Sequence, residues 1–333
     1  MHYNTLVTAE IPSIIEAQEN QKTKTPKEEV AFFTCAVENA VDWIMEPYDE
    51  NTENDAYLEF EDQTPMLRSE YEECVDCLKL PDGSCVELFD YPYGYKYTII
   101  DNKVYQRDAG PLRHNKRTKK AKKITALPNY PRKKLYKTFK EYAEDYRGYR
   151  FYDEQQTYGY YFNPNSVWDW YQIGGRWPDM FLVKTDCREY SLGERSWGNA
   201  DKELKAPDGY MWVAAARKKD IQWDVMRNWK HQKSTEAFYR LKKMFEENKL
   251  GEDLYAEITE DGIYSFGCCY YKKDETLEEY LERVSVPNSW RYPFSVYDII
   301  ECDERREISH SELDEYIDNL DEDTVLIGVD YHN

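Results

Sequence analysis

Residues 158–177 read Tyr158-Gly159-Tyr160-Tyr161-Phe162-Asn163-Pro164-Asn165-Ser166-Val167-Trp168-Asp169-Trp170-Tyr171-Gln172-Ile173-Gly174-Gly175-Arg176-Trp177. This is the densest aromatic and turn-forming run in the chain. Asn163-Pro164-Asn165 is turn chemistry, since proline fixes φ and asparagine bonds its own backbone. Trp168, Trp170, Tyr171 and Trp177 then supply apolar area with polar handles. Gly174-Gly175 permits positive φ or a close backbone approach, and Arg176 is a planar donor suited to a carboxylate or phosphate. Two arrangements satisfy these residues. One is a pocket in which Trp168, Asp169, Trp170, Tyr171 and Trp177 hold a ligand or partner while Arg176 takes its anion. The other is a folded turn whose tryptophans fill the core and whose Arg176 pairs with an acid such as Asp169. Gly-Gly-Arg lacks the spacing of a phosphate loop.

The pattern N-P-N-x-x-W-D-W-Y-x-I-G-G-R-W resembles a signature of uncharacterised bacteriophage and prophage proteins. The resemblance extends weakly to residues 139–148 and 323–333. A more distant similarity is to phage proteins with a ferredoxin-like domain. The resemblance implies phage origin and an accessory role in the cytoplasm of an infected bacterium; it carries over no catalytic residue and implies no reaction.

The 333 residues suffice for one large core or two ordinary ones. Hydrophobic residues make up 41% of the chain and aromatic ones 16%, including 31 tyrosines, so the chain is expected to fold. No apolar run approaches membrane-span length, and the first residues lack the charged and apolar regions of a secretory signal. The eight cysteines are expected as reduced thiols. The net charge of −21 is uneven: −17 over residues 1–90, +14 over 91–245 and −18 over 246–333. Such polarity suits interaction surfaces, or the acidic ends pair with the basic middle.

Intermixed strands and helices without regular β-α-β alternation predict an α+β fold with mostly antiparallel sheets and packed helices, which ferredoxin-like units would fit. Strands are expected at 3–11, 56–61, within 86–105, at 180–184, 210–216, 254–258, 263–271, 296–301 and 324–329. Helices are expected at 26–45, 138–146, 220–229, 235–248, 276–284 and 309–320, several with S/T-x-x-E capping boxes. Residues 18–27 and 191–207 read as loops. The expected organisation is an acidic N-terminal α+β region over 1–110, a basic loop or insertion over 111–137, and a C-terminal α+β domain over 138–333.

Residues 113–137 hold eleven Lys/Arg and no acid. Lys116, Arg117, Lys119, Lys120, Lys122 and Lys123 are its candidate phosphate contacts, with signature aromatics stacking bases. Cys74, Cys77 and Cys85 have one C-x2-C spacing and no evident fourth ligand, so hairpin thiols are favoured over zinc. The histidines His2, His114, His231, His310 and His332 match no triad or metal motif, and Asp330-Tyr331-His332 is the one close acid–histidine pairing. No catalytic residue, metal or cofactor is therefore assigned. The leading expectation is an interaction protein that inhibits a host antiviral defence component, of anti-CRISPR type, by binding a host protein or ribonucleoprotein. Direct nucleic-acid or nucleotide binding is the alternative. An enzyme acting on a nucleotide-like ligand, with Arg176 holding the anion and Asp169 or His332 moving protons, is the third.

Overall fold

The computed structural model describes residues 1–12, 25–107, 115–196, 204–251, 255–265, 268–302 and 304–333. The expected loop at 18–27, His114, part of the loop at 191–207 and the start of the strand at 254–258 fall wholly or partly outside these residues. The class is α+β, with mostly antiparallel sheets. The chain divides into two units: unit 1 is Met1–Glu53 with Asn165–Asn333, and unit 2 is Asn54–Pro164. This differs from the division at 110 and 137. Unit 1 draws both ends of the chain into one sheet, and unit 2 pairs Glu59–Asp62 with Thr157–Phe162 across both of those boundaries.

Unit 1 is built on one strand pair. β1 (His2–Ala9) runs antiparallel to the C-terminal strand along all eight of its residues, from His2 opposite His332 to Ala9 opposite Val325. The capping box of Thr25 and Glu28 starts α1 (Pro26–Met45), where the sequence places it. Phe33, Val37, Val41 and Ile44 are its buried stripe. Phe32 is exposed because the 33–37–41–44 spacing keeps one face and residue 32 lies off it.

The chain re-enters unit 1 through β2 (Trp170–Gly175), followed by β3 (Phe181–Lys184), β4 (Tyr210–Val213) and β5 (Ala215–Arg217). The single strand expected at 210–216 is split at Ala214. β4 pairs β3, whereas β5 joins the main sheet. α2 (Trp223–Glu246) replaces the two helices expected at 220–229 and 235–248. The intervening polar residues contain no breaker, and the Thr235 hydroxyl bonds back to the carbonyl of His231, 2.8 Å away. A three-stranded meander (Glu257–Ile258, Gly262–Ser265 and Cys268–Lys272) and α3 (Leu277–Val284) pack on the C-terminal half of α2 through Phe238, Leu241, Ile263, Tyr271 and Tyr280. The unit closes with β6 (Asp298–Ile300), β7 (Arg305–Glu307), α4 (His310–Asn319) and β8 (Val325–His332).

The main sheet runs β5-β8-β1-β6-β7, with Tyr190–Ser191 beyond β5. β8 takes two partners in succession on its outer edge, β5 along Val325–Ile327 and β2 along Val329–His332. The β1/β6 pair is parallel, so the sheet departs from the antiparallel ferredoxin-like arrangement. Both faces are covered. Leu6, Ile299 and Leu326 face Met226 of α2 and Leu313 and Ile317 of α4, while Val7, Ile300, Val325 and Ile327 face α1. A strand buried on both sides reads as continuously apolar, which is why β8 shows little alternation.

In unit 2, Cys74–Lys79 lies between Cys85–Glu87 and Thr125–Pro131, and Tyr97–Ile100 forms a hairpin with Lys103–Gln106. The basic segment expected as a loop is therefore partly a paired strand. Tyr93–Lys96, expected as strand, is a helical turn. The helix expected at 138–146 is wound as a π-helical stretch over Glu141–Tyr146. The Thr138 hydroxyl accepts the N–H of Glu141, but the Glu141 carboxylate returns to the N–H of Lys137 rather than Thr138. Many tyrosines of this unit are core. The Tyr142, Tyr146 and Tyr158 hydroxyls donate to Glu70, Asp90 and Glu144, and burial raises all three phenols. Cys77 is buried and its thiol is pushed up to about 12.

Arg217 is the largest side chain fully buried in unit 1. It donates to the carboxylate of Glu189 and to the carbonyls of Asp323 and Ile11. Removing one member of a buried pair typically costs about 3–5 kcal/mol. Arg217→Ala should lower unfolding stability by that order in urea titration, and an unchanged midpoint would show that Glu189 finds another partner.

Candidate functional site

The signature does not form one pocket. As a strand it sends its residues to three places. Trp168 and Tyr171 pack on the α1 face of the sheet, where the Trp168 Nε1–H donates to the Met45 carbonyl at 3.0 Å and the Tyr171 hydroxyl donates to Asp42. Asp169 and Trp170 lie at the end of the sheet beside two histidines. Arg176 and Trp177 enter a cavity. The expected Arg176–Asp169 pair is absent: Asp169 Oδ1 lies 2.9 Å from His332 Nδ1, a hydrogen bond that holds the Asp169 carboxyl below its usual range.

A row of polar residues organises the divergence. On one face of the sheet, Leu6 and Leu326 belong to the core, and Gly328 follows against Met180. Two residues further along β8 comes Asp330, flanked by Asn4 on β1 and Gln172 on β2. Next comes His332, flanked by His2 and Trp170. Asp330 has no exposed surface. Its Oδ1 lies 2.9 Å from His2 Nδ1, and its Oδ2 accepts the backbone N–H of Arg176 at 2.9 Å. The His2 ring lies edge-on to both Trp170 and His332, with centroids 5.9 and 5.0 Å away.

That hydrogen bond explains the two glycines. The N–H of Trp177 returns to the carbonyl of Gly174 at 2.8 Å, closing a tight turn with Gly174 at φ +82° and Gly175 at φ +54°. A Cβ on Gly175 would lie 2.4 Å from the Asp330 Cβ. Only a bare backbone lets the turn come down on the buried carboxylate.

Beyond the turn, Arg176 and Trp177 line a cavity of about 560 Å³ with Trp229 and Lys230 of α2 and Trp290 of the α3–β6 connection. The Arg176 guanidinium makes no ion pair among the described residues. Lys230 donates to the Pro293 carbonyl, and burial lowers its ammonium to about 8. Trp290 is backed by the stacked ring of His310, 3.5 Å between centroids. Sequence reasoning found Arg176 and Trp177 but missed Lys230 and Trp290. Those two lie more than 50 residues away, in segments whose sequence reads as an ordinary helix and loop.

The basic run belongs to unit 2, whereas Trp168, Trp170, Tyr171 and Trp177 belong to unit 1. Lys116, Arg117, Lys119, Lys120, Lys122 and Lys123 are all exposed. Arg117, Lys119, Lys120, Lys122 and Lys123 make no ion pair among the described residues, whereas Arg132 and Lys133 of the same run pair with Glu87 and Glu72. Ala121, between the lysines, packs in a small core with Leu88, Tyr93 and Tyr97. The same lobe exposes Phe89 (77%), Tyr91 (84%) and Tyr95 (79%). Arg117 lies over the ring of Tyr105, 5.8 Å from its centroid.

Among the described residues no group of three or more His, Cys, Asp or Glu is placed to hold a metal, and no helix is long and apolar enough to cross a membrane. No family model, curated protein or solved structure matches the chain.

Gly175→Ala should lower the thermal midpoint, since both the positive φ and the contact with Asp330 oppose a side chain; the backbone strain alone is worth about 1–3 kcal/mol. Gly83→Ala, at φ +93° with open space around its Cβ, is the comparison that isolates the contact. Equal losses in the two variants would mean that Asp330 yields.

Proposed function

We propose that the protein is an interaction protein that holds a polyanionic partner, a single-stranded nucleic acid either free or within a ribonucleoprotein, on the basic lobe of unit 2. The observation that carries this reading is the set of five exposed cations, Arg117, Lys119, Lys120, Lys122 and Lys123, left without ion pairs among the described residues. A basic segment that served only to neutralise the chain's own acids would be paired. Lysines supply the counterion-release term of backbone binding, and exposed aromatic rings such as Tyr91 and Tyr95, 5.9 Å apart, are platforms on which bases stack.

Unit 1 favours a second contact with the same kind of partner. It carries 47 of the 65 Asp/Glu and 25 of the 44 Lys/Arg, a net of −22 against +1 for unit 2. An acidic surface complements the groove of a nucleic-acid-binding protein. With the phage-like signature, this supports a role as an inhibitor of a host antiviral ribonucleoprotein in the cytoplasm of the infected bacterium, with binding rather than chemistry as the mode of action.

Titration with a fluorescent oligothymidylate or oligouridylate should give affinity that falls with salt. Neutralising about five phosphates of a single strand predicts a slope of about −3.5 in log K against log salt. Reversing Lys119, Lys120, Lys122 and Lys123 to Glu should weaken binding more than tenfold and flatten that slope. Tyr91→Ala with Tyr95→Ala should weaken it at an unchanged slope. Wild-type affinity in the charge-reversed variant would overturn the reading. A nuclease-treated pulldown from bacterial lysate tests the inhibitor role, which fails if no defence-complex subunit co-purifies.

A further inference from the structure

We propose that the cavity of unit 1 is a second, independent binding site, for a phosphate monoester carrying an aromatic base, the class of a nucleoside monophosphate. The walls fit the base. Trp177 comes from the glycine turn, Trp229 from α2 and Trp290 from the α3–β6 connection, so indoles line the cavity from three separate segments. Trp290 is held by His310 stacked behind it, and Trp229 by Trp212 set edge-on with centroids 5.0 Å apart. These walls are therefore in place before a ligand arrives.

The charges fit the phosphate. Arg176 and Lys230 bring two positive charges with no carboxylate paired to either among the described residues. The acid in the lining, Asp179, is occupied by Arg195, whose guanidinium donates to both of its oxygens. The further cation, Lys233, is shared with Glu236 at 2.8 Å. Two cations without a paired carboxylate among the described residues match the charge of about −1.5 to −2 that a phosphate monoester carries near neutral pH.

Two buried polar atoms point to the same conclusion. Asn4 Oδ1 and Ser285 Oγ both belong to residues lining the cavity, and neither has a hydrogen-bond partner among the described residues. The Asn4 amide nitrogen donates to the Ser295 carbonyl at 3.1 Å, which leaves the oxygen as the side chain's remaining acceptor. Buried polar atoms normally find partners. With two cations and three indoles, these two atoms give the lining an acceptor and a hydroxyl for a ligand with donors of its own, such as ribose hydroxyls or an exocyclic amine. The volume of about 560 Å³ lies within the range of small-molecule sites.

The pH dependence follows from Lys230. Its ammonium is lowered to about 8 by burial, so it is charged below that pH and neutral above. The other charged side chains lining the cavity are Arg176, Lys233 and the Arg195-bound Asp179. Binding of a phosphate monoester should therefore be strongest between about pH 6, where the phosphate gains its second charge, and about 8, and should decline on the alkaline side.

The test is tryptophan fluorescence and thermal-shift titration of the full chain with AMP, GMP, CMP and UMP, against inorganic phosphate and the uncharged nucleosides. At least one nucleotide should quench the tryptophans and raise the melting temperature, with affinity tenfold or more above both phosphate and its nucleoside. Arg176→Gln and Lys230→Gln should each weaken it about tenfold. Arg176 is exposed and its side chain makes no hydrogen bond or ion pair among the described residues, so that variant keeps the fold if the lysine variant does not. The charge-reversed unit 2 variant should bind nucleotide as the wild type does, which separates this site from the nucleic-acid reading. The proposal is overturned if no nucleotide acts at 1 mM, if phosphate alone binds as well, or if Arg176→Gln binds with wild-type affinity.

Discussion

A carboxylate sealed from solvent, Asp330, sits where three strands and a turn meet. Burying such a group without partners would be costly, and the chain supplies two: His2 from the first strand and the Arg176 N–H from the glycine turn. Each partner fixes a piece of architecture. The histidine depends on the register of β1 against β8, and a slip of one residue would move it to the opposite face. The N–H requires the turn to come within reach, which excludes a side chain at residue 175. The direction in which Arg176 and Trp177 leave the sheet is thus set by a charge they do not themselves contact through their side chains.

The same row separates a packed region from an open one. Along β8 the side chains facing α2 and α4 pass from Leu326 through Gly328 to Asp330 and His332. The hydrophobic core ends at the glycine. Beyond it the sheet offers hydrogen-bonding groups, and the neighbouring Asn4 has an oxygen with no partner among the described residues. Sites of recognition commonly arise where a rigid sheet runs out of apolar filling but keeps its backbone order, because the scaffold holds polar groups in place without spending ordering entropy on binding.

What could be read from the sequence was local. Thr25 with Glu28, Thr276 with Glu279 and Ser309 with Glu312 mark helix starts because each box closes within four residues. The α+β class follows from the same local signals. The pairing of β1 with strands near 298 and 330 has no local signature, since it is decided by which apolar surfaces remain after the helices form. Two helices were expected where α2 is continuous, because the polar stretch between Trp229 and Thr235 lacks an inward face in isolation. The aromatic density of residues 158–177 drew attention to Arg176 and Trp177, which line the cavity. It concealed that alternation along a strand would send Trp170 and Tyr171 to opposite faces.

Residues 48–50 and 167–168 lie side by side in unit 1: Glu50 N–H meets the Trp168 carbonyl at 2.9 Å and Val167 N–H meets that of Tyr48 at 2.8 Å. The polypeptide thus leaves unit 1 and returns to it at neighbouring points, with all of Asn54–Pro164 spliced between them. The closure cost of an inserted segment grows only with the logarithm of its length, by about 0.6 kcal/mol for each doubling. Unit 2 is therefore an insertion in the chain of unit 1. A segment of another length could span the same two junctions, since the strand pairings beside the cavity and its glycine turn lie within unit 1.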